Sequence, residues 1–265
     1  METEPSRASA FVKTFSEDPI VTGSGPADGL TQELERTGKS LIRFADGEAV
    51  LLLGKPTWFQ LPQPSLREGL FEIFFGYSEH SDYLLAIMGT VFLSPEELRS
   101  ADEAGKLWSN NVKVRGLEAV ARHMGARDAP VFDANAYRNG GEDPSSLWAS
   151  AEQVVLVANR RVLLENKDRG RFAGAVMRHV DIPEVDVLPH LDRVCNEVQQ
   201  HVRVTGLPAR EVPVIVAAGA VGKLVVARLM RDYRVLDLGA WMGWSLPRSV
   251  RPSLHMKKSR PSADG

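Results

Sequence analysis

Two acidic residues separated by one glycine, Asp46 and Glu48, follow a short apolar segment near the start of the chain. Carboxylates at this spacing can both turn toward one hard cation, which takes oxygen ligands and can bridge to a diphosphate. Gly47 lets the backbone bend in a tight turn, and Arg43 carries a guanidinium that can pair with phosphate through two parallel hydrogen bonds. The segment therefore predicts a metal and phosphate site. The same triplet is also typical of a hairpin turn or of a helix's first turn.

A second candidate site lies in residues 212–244, where an apolar strand leads to Gly219 and a helix follows. Open α/β sheets bind ligands at the carboxyl edge, and a helix N-terminus there offers free amides to a phosphate. Lys223 adds a positive charge to this helix. Asp237 ends the next strand at the same edge, where a carboxylate commonly binds ribose hydroxyls. Close helix–sheet packing and turn capping explain the same residues, so both interpretations stay open.

The elements that must position these residues alternate between apolar strands and helices. Residues 212–218, 220–231 and 235–238 predict a strand, a helix and a strand, which form a right-handed crossover between parallel strands. Buried strands separated by helices favour an α/β protein with a mostly parallel open sheet and helices on both faces. Further helices are predicted over residues 30–37, 66–75, 94–104, 106–124 and 190–204, and further strands over residues 40–44, 83–88, 131–132, 154–158 and 179–182.

The composition is that of an ordinary globular protein. The 265 residues are 43% hydrophobic and 25% charged, with a net charge of -2 and a pI near 6.3. The sequence lacks the excess of basic residues that is typical of a nucleic-acid-binding protein, and no apolar run is long enough for a transmembrane segment. We expect an irregular arm over residues 1–28, one domain over residues 29–246 and a basic disordered tail over residues 247–265.

The single cysteine and an acidic N-terminus without a signal-like segment predict a cytoplasmic protein. Cys195 falls in a helical pattern, where a buried structural thiol is expected rather than a nucleophile.

The two candidate segments together resemble the GT-D-type glycosyltransferases, a family first defined as a domain of unknown function. The N-terminal pattern S-[IL]-x-R-[FY]-G-D-G-E is matched by Ser40, Leu41, Arg43, Phe44, Asp46, Gly47 and Glu48, with Ala45 in place of a glycine. The C-terminal pattern is matched by Ala218-Gly219-Ala220 and by Asp237-Leu238-Gly239. Where the family usually has proline and histidine, this chain has Ala220 and Ala240.

The resemblance implies a Rossmann-like fold that moves a sugar from a nucleoside diphosphate sugar, with UDP as the expected nucleotide. It implies Mn²⁺ or Mg²⁺ bound by Asp46 and Glu48, which are also the expected catalytic residues. Donor-binding positions would be Arg43, Gly47, Arg138, Gly219, Ala220 and Asp237. The acceptor is left open among a glycan, a glycoprotein, a lipid-linked sugar and a small molecule, as is assembly into a homo-oligomer.

A polar loop over residues 133–144 offers candidates for the general base that an inverting reaction would need. They are Asp133, Glu142 and Asp143, and the loop also holds Tyr137 and Arg138. A solvated surface loop explains the same composition.

Two other functions fit parts of the sequence. Asp237, Gly239 and Gly243 are spaced as in the first motif of S-adenosylmethionine-dependent methyltransferases. That motif normally belongs to the first strand of its sheet, whereas few residues follow it here. A non-catalytic nucleotide-binding protein would keep the glycines and would not need the acidic pair.

Overall fold

We obtained a computed structural model of the protein, which describes residues 28–52, 54–57, 59–87, 129–137 and 142–242, with the backbone alone at Asp46 and Ala240. Several predictions concern residues outside these ranges and stay predictions. They are the arm over 1–28 apart from its last residue, the helices over 94–104 and 106–124, Arg138, Gly243 and the tail over 247–265.

The described strands form one seven-stranded sheet in which each pair of neighbours is parallel. Their order across the sheet is β3-β2-β1-β7-β6-β4-β5, so that β1 and β7, from opposite ends of the chain, lie side by side. The strands are β1 (Ser40–Phe44), β2 (Tyr83–Ile87), β3 (Val131–Asp133), β4 (Gln153–Ala158), β5 (Val176–Asp181), β6 (Val214–Ala217) and β7 (Val235–Asp237). The prediction of a parallel open sheet is confirmed.

Six α-helices connect or flank these strands in the described residues. They are α1 (Leu30–Thr37), α2 (Asp46–Leu52), α3 (Pro64–Phe75), α4 (Arg160–Asp168), α5 (Leu191–Arg203) and α6 (Gly219–Leu229). The predicted helices over 30–37, 66–75, 190–204 and 220–231 are confirmed with shifts of a few residues at their ends. Helix α4 was not predicted because its sequence is largely charged, although Asn159 caps its first turn by accepting a hydrogen bond from the Val162 amide at 2.9 Å.

The sheet has an apolar core on each face. Ile42 and Phe44 of β1 belong to one buried cluster with side chains of α2, α3, α5 and α6. Leu41, which directly precedes Ile42 in the strand, belongs to the opposite cluster with side chains of α1 and α4. Because successive strand residues point to opposite faces, this alternation confirms that helices cover both sides of the sheet.

No helix in the described part of the chain is both long enough and apolar enough to cross a membrane. The longest of the six, α5, has 13 residues, whereas a span needs about 20.

Cys195 lies on the inward face of α5, and its residue is 7% exposed. Burial raises the pKa of its thiol, which lowers the fraction of reactive thiolate at neutral pH. We expect the native protein to react with a thiol reagent more slowly than the urea-unfolded chain by about two orders of magnitude. Absorbance on labelling measures both rates, and Cys195→Ser, which removes the single cysteine, must abolish the signal. Equal rates in the two states would contradict the described packing of α5.

Candidate active site

The two segments predicted to carry chemistry meet at the carboxyl edge of the sheet. Leu41 of β1 pairs with Leu236 of β7, and β6 pairs with the other side of β7. Near the ends of β1 and β7, the Arg43 amide donates a hydrogen bond to Asp237 Oδ2 at 3.3 Å. The N-terminal and C-terminal motifs therefore share one edge, as the resemblance implied.

The Asp46-Gly47-Glu48 triplet is the first turn of α2, which corrects the prediction of a tight turn. Glu48 is the third helical residue, and its Oε2 accepts a hydrogen bond from the Ala45 amide at 2.8 Å. A glutamate at this position satisfies an amide that the helix itself leaves without a partner. The alternative interpretation of Glu48 as a first-turn helix acid is therefore the one the structure supports.

Lys223 stands at the centre of the site. Its Nζ lies 2.9 Å from Glu48 Oε1 and 3.0 Å from Asp237 Oδ2, and it donates to the Gly219 carbonyl at 3.1 Å. The three charged side chains are no more than 5% exposed. Burial opposes the charge on Lys223, but the two carboxylates outweigh it and raise the pKa of the ammonium above its ordinary value. Lys223 therefore ties α2, α6 and β7 together as a charged group.

Asp237 is completely buried at the end of β7. Its Oδ2 binds Lys223 and the Arg43 amide, whereas its Oδ1 has no hydrogen-bond partner among the described residues. Cβ atoms built on Gly222 and Gly239 would lie 3.8 and 3.6 Å from this Oδ1, so both glycines keep side chains away from it. The contact with ribose predicted for Asp237 stays a prediction, while its contact with Lys223 is described.

Arg43 is buried in the site, with 7% of its residue surface exposed. Its Nε donates to the Ala134 carbonyl at 2.8 Å, Nη2 donates to the same carbonyl, and Nη1 donates to the Leu238 carbonyl. Burial lowers the pKa of Arg43, with Asp237 acting in the opposite direction. These bonds join the segments that follow β3 and β7, and the phosphate contact predicted for Arg43 stays untested.

Phe59 covers the starts of two helices. A Cβ built on Gly47, in α2, would lie 3.3 Å from the Phe59 ring, and one built on Gly219, in α6, would lie 2.8 Å from it. Gly219 also has a φ of 56°, in the left-handed region that favours glycine. The preceding Ala218 has no side-chain oxygen with which to cap the first turn of α6. Gly219 therefore serves two needs at once, the backbone turn and the space for the ring.

In the loop predicted to hold a general base, the acidic side chains accept hydrogen bonds from backbone amides. Glu142 accepts hydrogen bonds from the amides of Leu30 at 3.1 Å and Thr31 at 2.7 Å, so it caps the start of α1. Asp143 likewise accepts from the Ser145 amide at 3.0 Å. Asp133 Oδ1, in the same loop, accepts a hydrogen bond from the Asn135 amide at 2.8 Å. Burial raises the pKa of Tyr137, also in this loop, to about 12.

Glu48 in this arrangement does not fit as a metal ligand. Both of its carboxylate oxygens are bonded to protein donors, one of them the Lys223 ammonium. Within the described residues, no group of three or more His, Cys, Asp or Glu side chains is placed to hold a metal ion. The Asp46 side chain lies outside what the structure describes, so the metal predicted for the pair remains a prediction.

The sequence indicated no more than an added charge for Lys223, and it carried no signal for the contacts of Phe59. Lys223 follows Gly219 by one helical turn, a spacing that already placed its ammonium near the edge. Phe59 lies in a segment between helices where no periodic pattern indicated a contact with either glycine.

The described architecture defines a Rossmann-like α/β protein whose fold is that of glycosyltransferases. The chain is similar to a solved structure of domain of unknown function 1792, described as having a distinct glycosyltransferase fold. Identity is 17% and the TM-score 0.62, with 88% of this chain and 82% of that one covered. It is also similar to a new glycosyltransferase of that domain type from Streptococcus sanguinis. There the identity is 21%, the TM-score 0.62, and the coverage 80% and 78%.

No protein-family model and no curated protein matches the chain. The similarity to these solved structures covers most of both chains, so the predicted resemblance is confirmed at the level of the fold.

Proposed function

We propose that this protein transfers a glycosyl group from a nucleoside diphosphate sugar, with UDP as the nucleotide, to an acceptor hydroxyl. The observation that supports this most directly is the buried contact of Glu48 and Asp237 with Lys223. It joins the two family-like segments at the carboxyl edge of a sheet with a glycosyltransferase fold. Ligands of open α/β sheets bind outside that edge.

The start of α6 is the part of the edge best suited to the diphosphate. Its first-turn amides point out of the helix and its dipole presents a partial positive charge there. In the reaction, the acceptor oxygen forms a bond to the anomeric carbon of the donor sugar, and its hydroxyl proton passes to a base or to water. The bond from that carbon to the diphosphate oxygen breaks, and its electron pair leaves with the diphosphate. Stabilising this departing charge is the main electrostatic task of the site.

The buried charges act by positioning this edge. Lys223 binds the Gly219 carbonyl and thereby holds the first turn of α6, while Glu48 holds the start of α2 through the Ala45 amide. The backbone of Asp46 lies at that helix start. We infer that Asp46 contacts the donor and that Glu48, Lys223 and Asp237 fix the two helices around it.

A screen of nucleotide sugars tests the function, with donor hydrolysis measured by release of the nucleoside diphosphate. We expect turnover of a UDP-sugar by the native protein and a loss of about a hundredfold for Asp46→Asn, because loss of one group that contacts the donor in the transition state costs on this scale. Asp82→Asn is the matched control, since Asp82 is exposed just before β2, at the opposite edge of the sheet. Running each assay with Mn²⁺, with Mg²⁺ and with EDTA measures the metal dependence separately.

Thermal unfolding with added ligands separates the other functions. UDP is expected to raise the melting temperature of the folded protein because it binds only the native state. A rise with S-adenosylhomocysteine and none with UDP would favour a methyltransferase instead. No turnover of any donor, together with a rise for UDP, would indicate a nucleotide-binding protein without transferase activity.

A further inference from the structure

The site described above already contains a cation, the Lys223 ammonium. Its Nζ has three acceptors within 3.1 Å, namely Glu48 Oε1, Asp237 Oδ2 and the Gly219 carbonyl. An ammonium has three N–H donors, so these contacts use all of them. Lys223 therefore takes the place between two carboxylates that a bound metal ion would otherwise occupy.

Glu48 has no oxygen left without a protein donor. Oε1 contacts Lys223 at 2.9 Å and Oε2 accepts from the Ala45 amide at 2.8 Å. A divalent ion on Oε1 would sit against the ammonium in a site that is about 5% exposed, where water screens the repulsion poorly. Binding a metal through Glu48 therefore requires Lys223 to leave.

Glu48 and Asp237 already have two cationic partners among the described residues. The two carboxylates of Glu48 and Asp237 are matched by the Lys223 ammonium and by the Arg43 guanidinium, which interacts electrostatically with both acids. A divalent ion placed between these two acids would face the Lys223 ammonium in a buried site, which is costly.

We propose that Lys223 replaces a divalent cation as the counter-ion of Glu48 and Asp237, and that Glu48 is a positioning residue rather than a metal ligand. The proposal rests on the proposed function for its place at the donor edge, but it concerns cation binding itself. It has a specific consequence. Removing the ammonium while keeping both carboxylates should open this position to a divalent ion.

Mn²⁺ binding to the full chain without donor, measured by electron paramagnetic resonance and by titration calorimetry, tests the proposal. Glu48→Gln is expected to leave the affinity of the native protein for Mn²⁺ unchanged within about twofold, whereas loss of a true metal-site group typically costs 10–100-fold. The matched control is Glu72→Gln, at an exposed position of α3. A loss of about tenfold or more for Glu48→Gln alone would overturn the proposal.

The second arm uses Lys223→Met. This variant is expected to gain Mn²⁺ affinity by about tenfold or more, with a bound-ion resonance signal that disappears again in Lys223→Met combined with Glu48→Gln. A folded Lys223→Met protein with no gain would overturn the proposal. If circular dichroism shows that this variant does not fold, Lys223→Gln takes its place, and the Glu48→Gln result still decides.

The two proposals fail in different experiments. Absence of donor turnover would remove the transferase function and leave the Mn²⁺ measurements unaffected. Donor turnover that persists, combined with loss of Mn²⁺ binding in Glu48→Gln, would remove only the assignment of Lys223 as the counter-ion.

Discussion

Lys223→Met is expected to lower the free energy of unfolding by about 3–5 kcal/mol, because removing one partner of a buried ion pair leaves uncompensated charge in the interior. Here two carboxylates would lose the same partner, since Lys223 contacts both Glu48 and Asp237. Urea denaturation followed by circular dichroism measures the change. The same variant is expected to lose donor turnover, since the start of α6 loses the side chain that binds the Gly219 carbonyl.

Two comparisons separate this charge effect from a general effect of the substitution. Lys55→Met, at an exposed position, is expected to change the free energy of unfolding by no more than about 0.5 kcal/mol. Combining Lys223→Met with Glu48→Gln and Asp237→Asn is expected to recover most of the lost stability. The neutral amides still offer carbonyl oxygens to the Ala45 and Arg43 amides and no longer need a counter-ion. A loss below about 1 kcal/mol for Lys223→Met would contradict the described cluster.

Gly219→Ala is expected to destabilise the protein by about 2–5 kcal/mol, from two separable causes. A residue with a Cβ at φ 56° costs about 1–2 kcal/mol in backbone conformation. The new Cβ would also lie 2.8 Å from the Phe59 ring, and such overpacking costs about 1–3 kcal/mol. Urea denaturation of the variant measures the sum.

A double-mutant cycle with Phe59→Ala isolates the steric part. In that background Gly219→Ala is expected to cost only the backbone contribution, about 1–2 kcal/mol, because the ring is gone. Gly170→Ala is the matched control, since Gly170 has a φ of 63° and nothing within 4 Å of a Cβ built on it. Equal losses for Gly219→Ala with and without the Phe59 ring would show that the ring does not lie over this glycine.

The course of the strands was predictable because their sequences are short, continuous and apolar. Residues 40–44 and 154–158 were predicted as strands and correspond to β1 and β4 of the structure. The continuous apolar sequence of these strands agrees with their burial in the structure, since a parallel strand covered on both faces has apolar residues at almost every position. Helix α4 was missed for the opposite reason: only a few of its residues face the core, and a cap at Asn159 was its main signal.

The first turn of α2 shows where local sequence is ambiguous. Asp-Gly-Glu suits a tight turn as well as a helix start, and local preference does not separate the two. Glu48 is buried against Lys223, a residue distant in the chain, and it also accepts a hydrogen bond from the Ala45 amide. Both contacts favour the helix start over the tight turn. A tertiary contact of this kind overrides weak local propensity.

By itself, the sequence determined the alternation of strands and helices and which side chains stand at the carboxyl ends of β1 and β7. Hydrophobic periodicity fixes where a strand ends, so it also fixes that Arg43 and Asp237 belong to one edge once the sheet is parallel. Only the tertiary structure decided what those side chains bind. The partners of Asp237 and Glu48 depend on how closely α2 and α6 pack above the sheet, and that distance is set by all the layers together. The pairing of both acids with Lys223 is therefore a property of the fold and not of either motif.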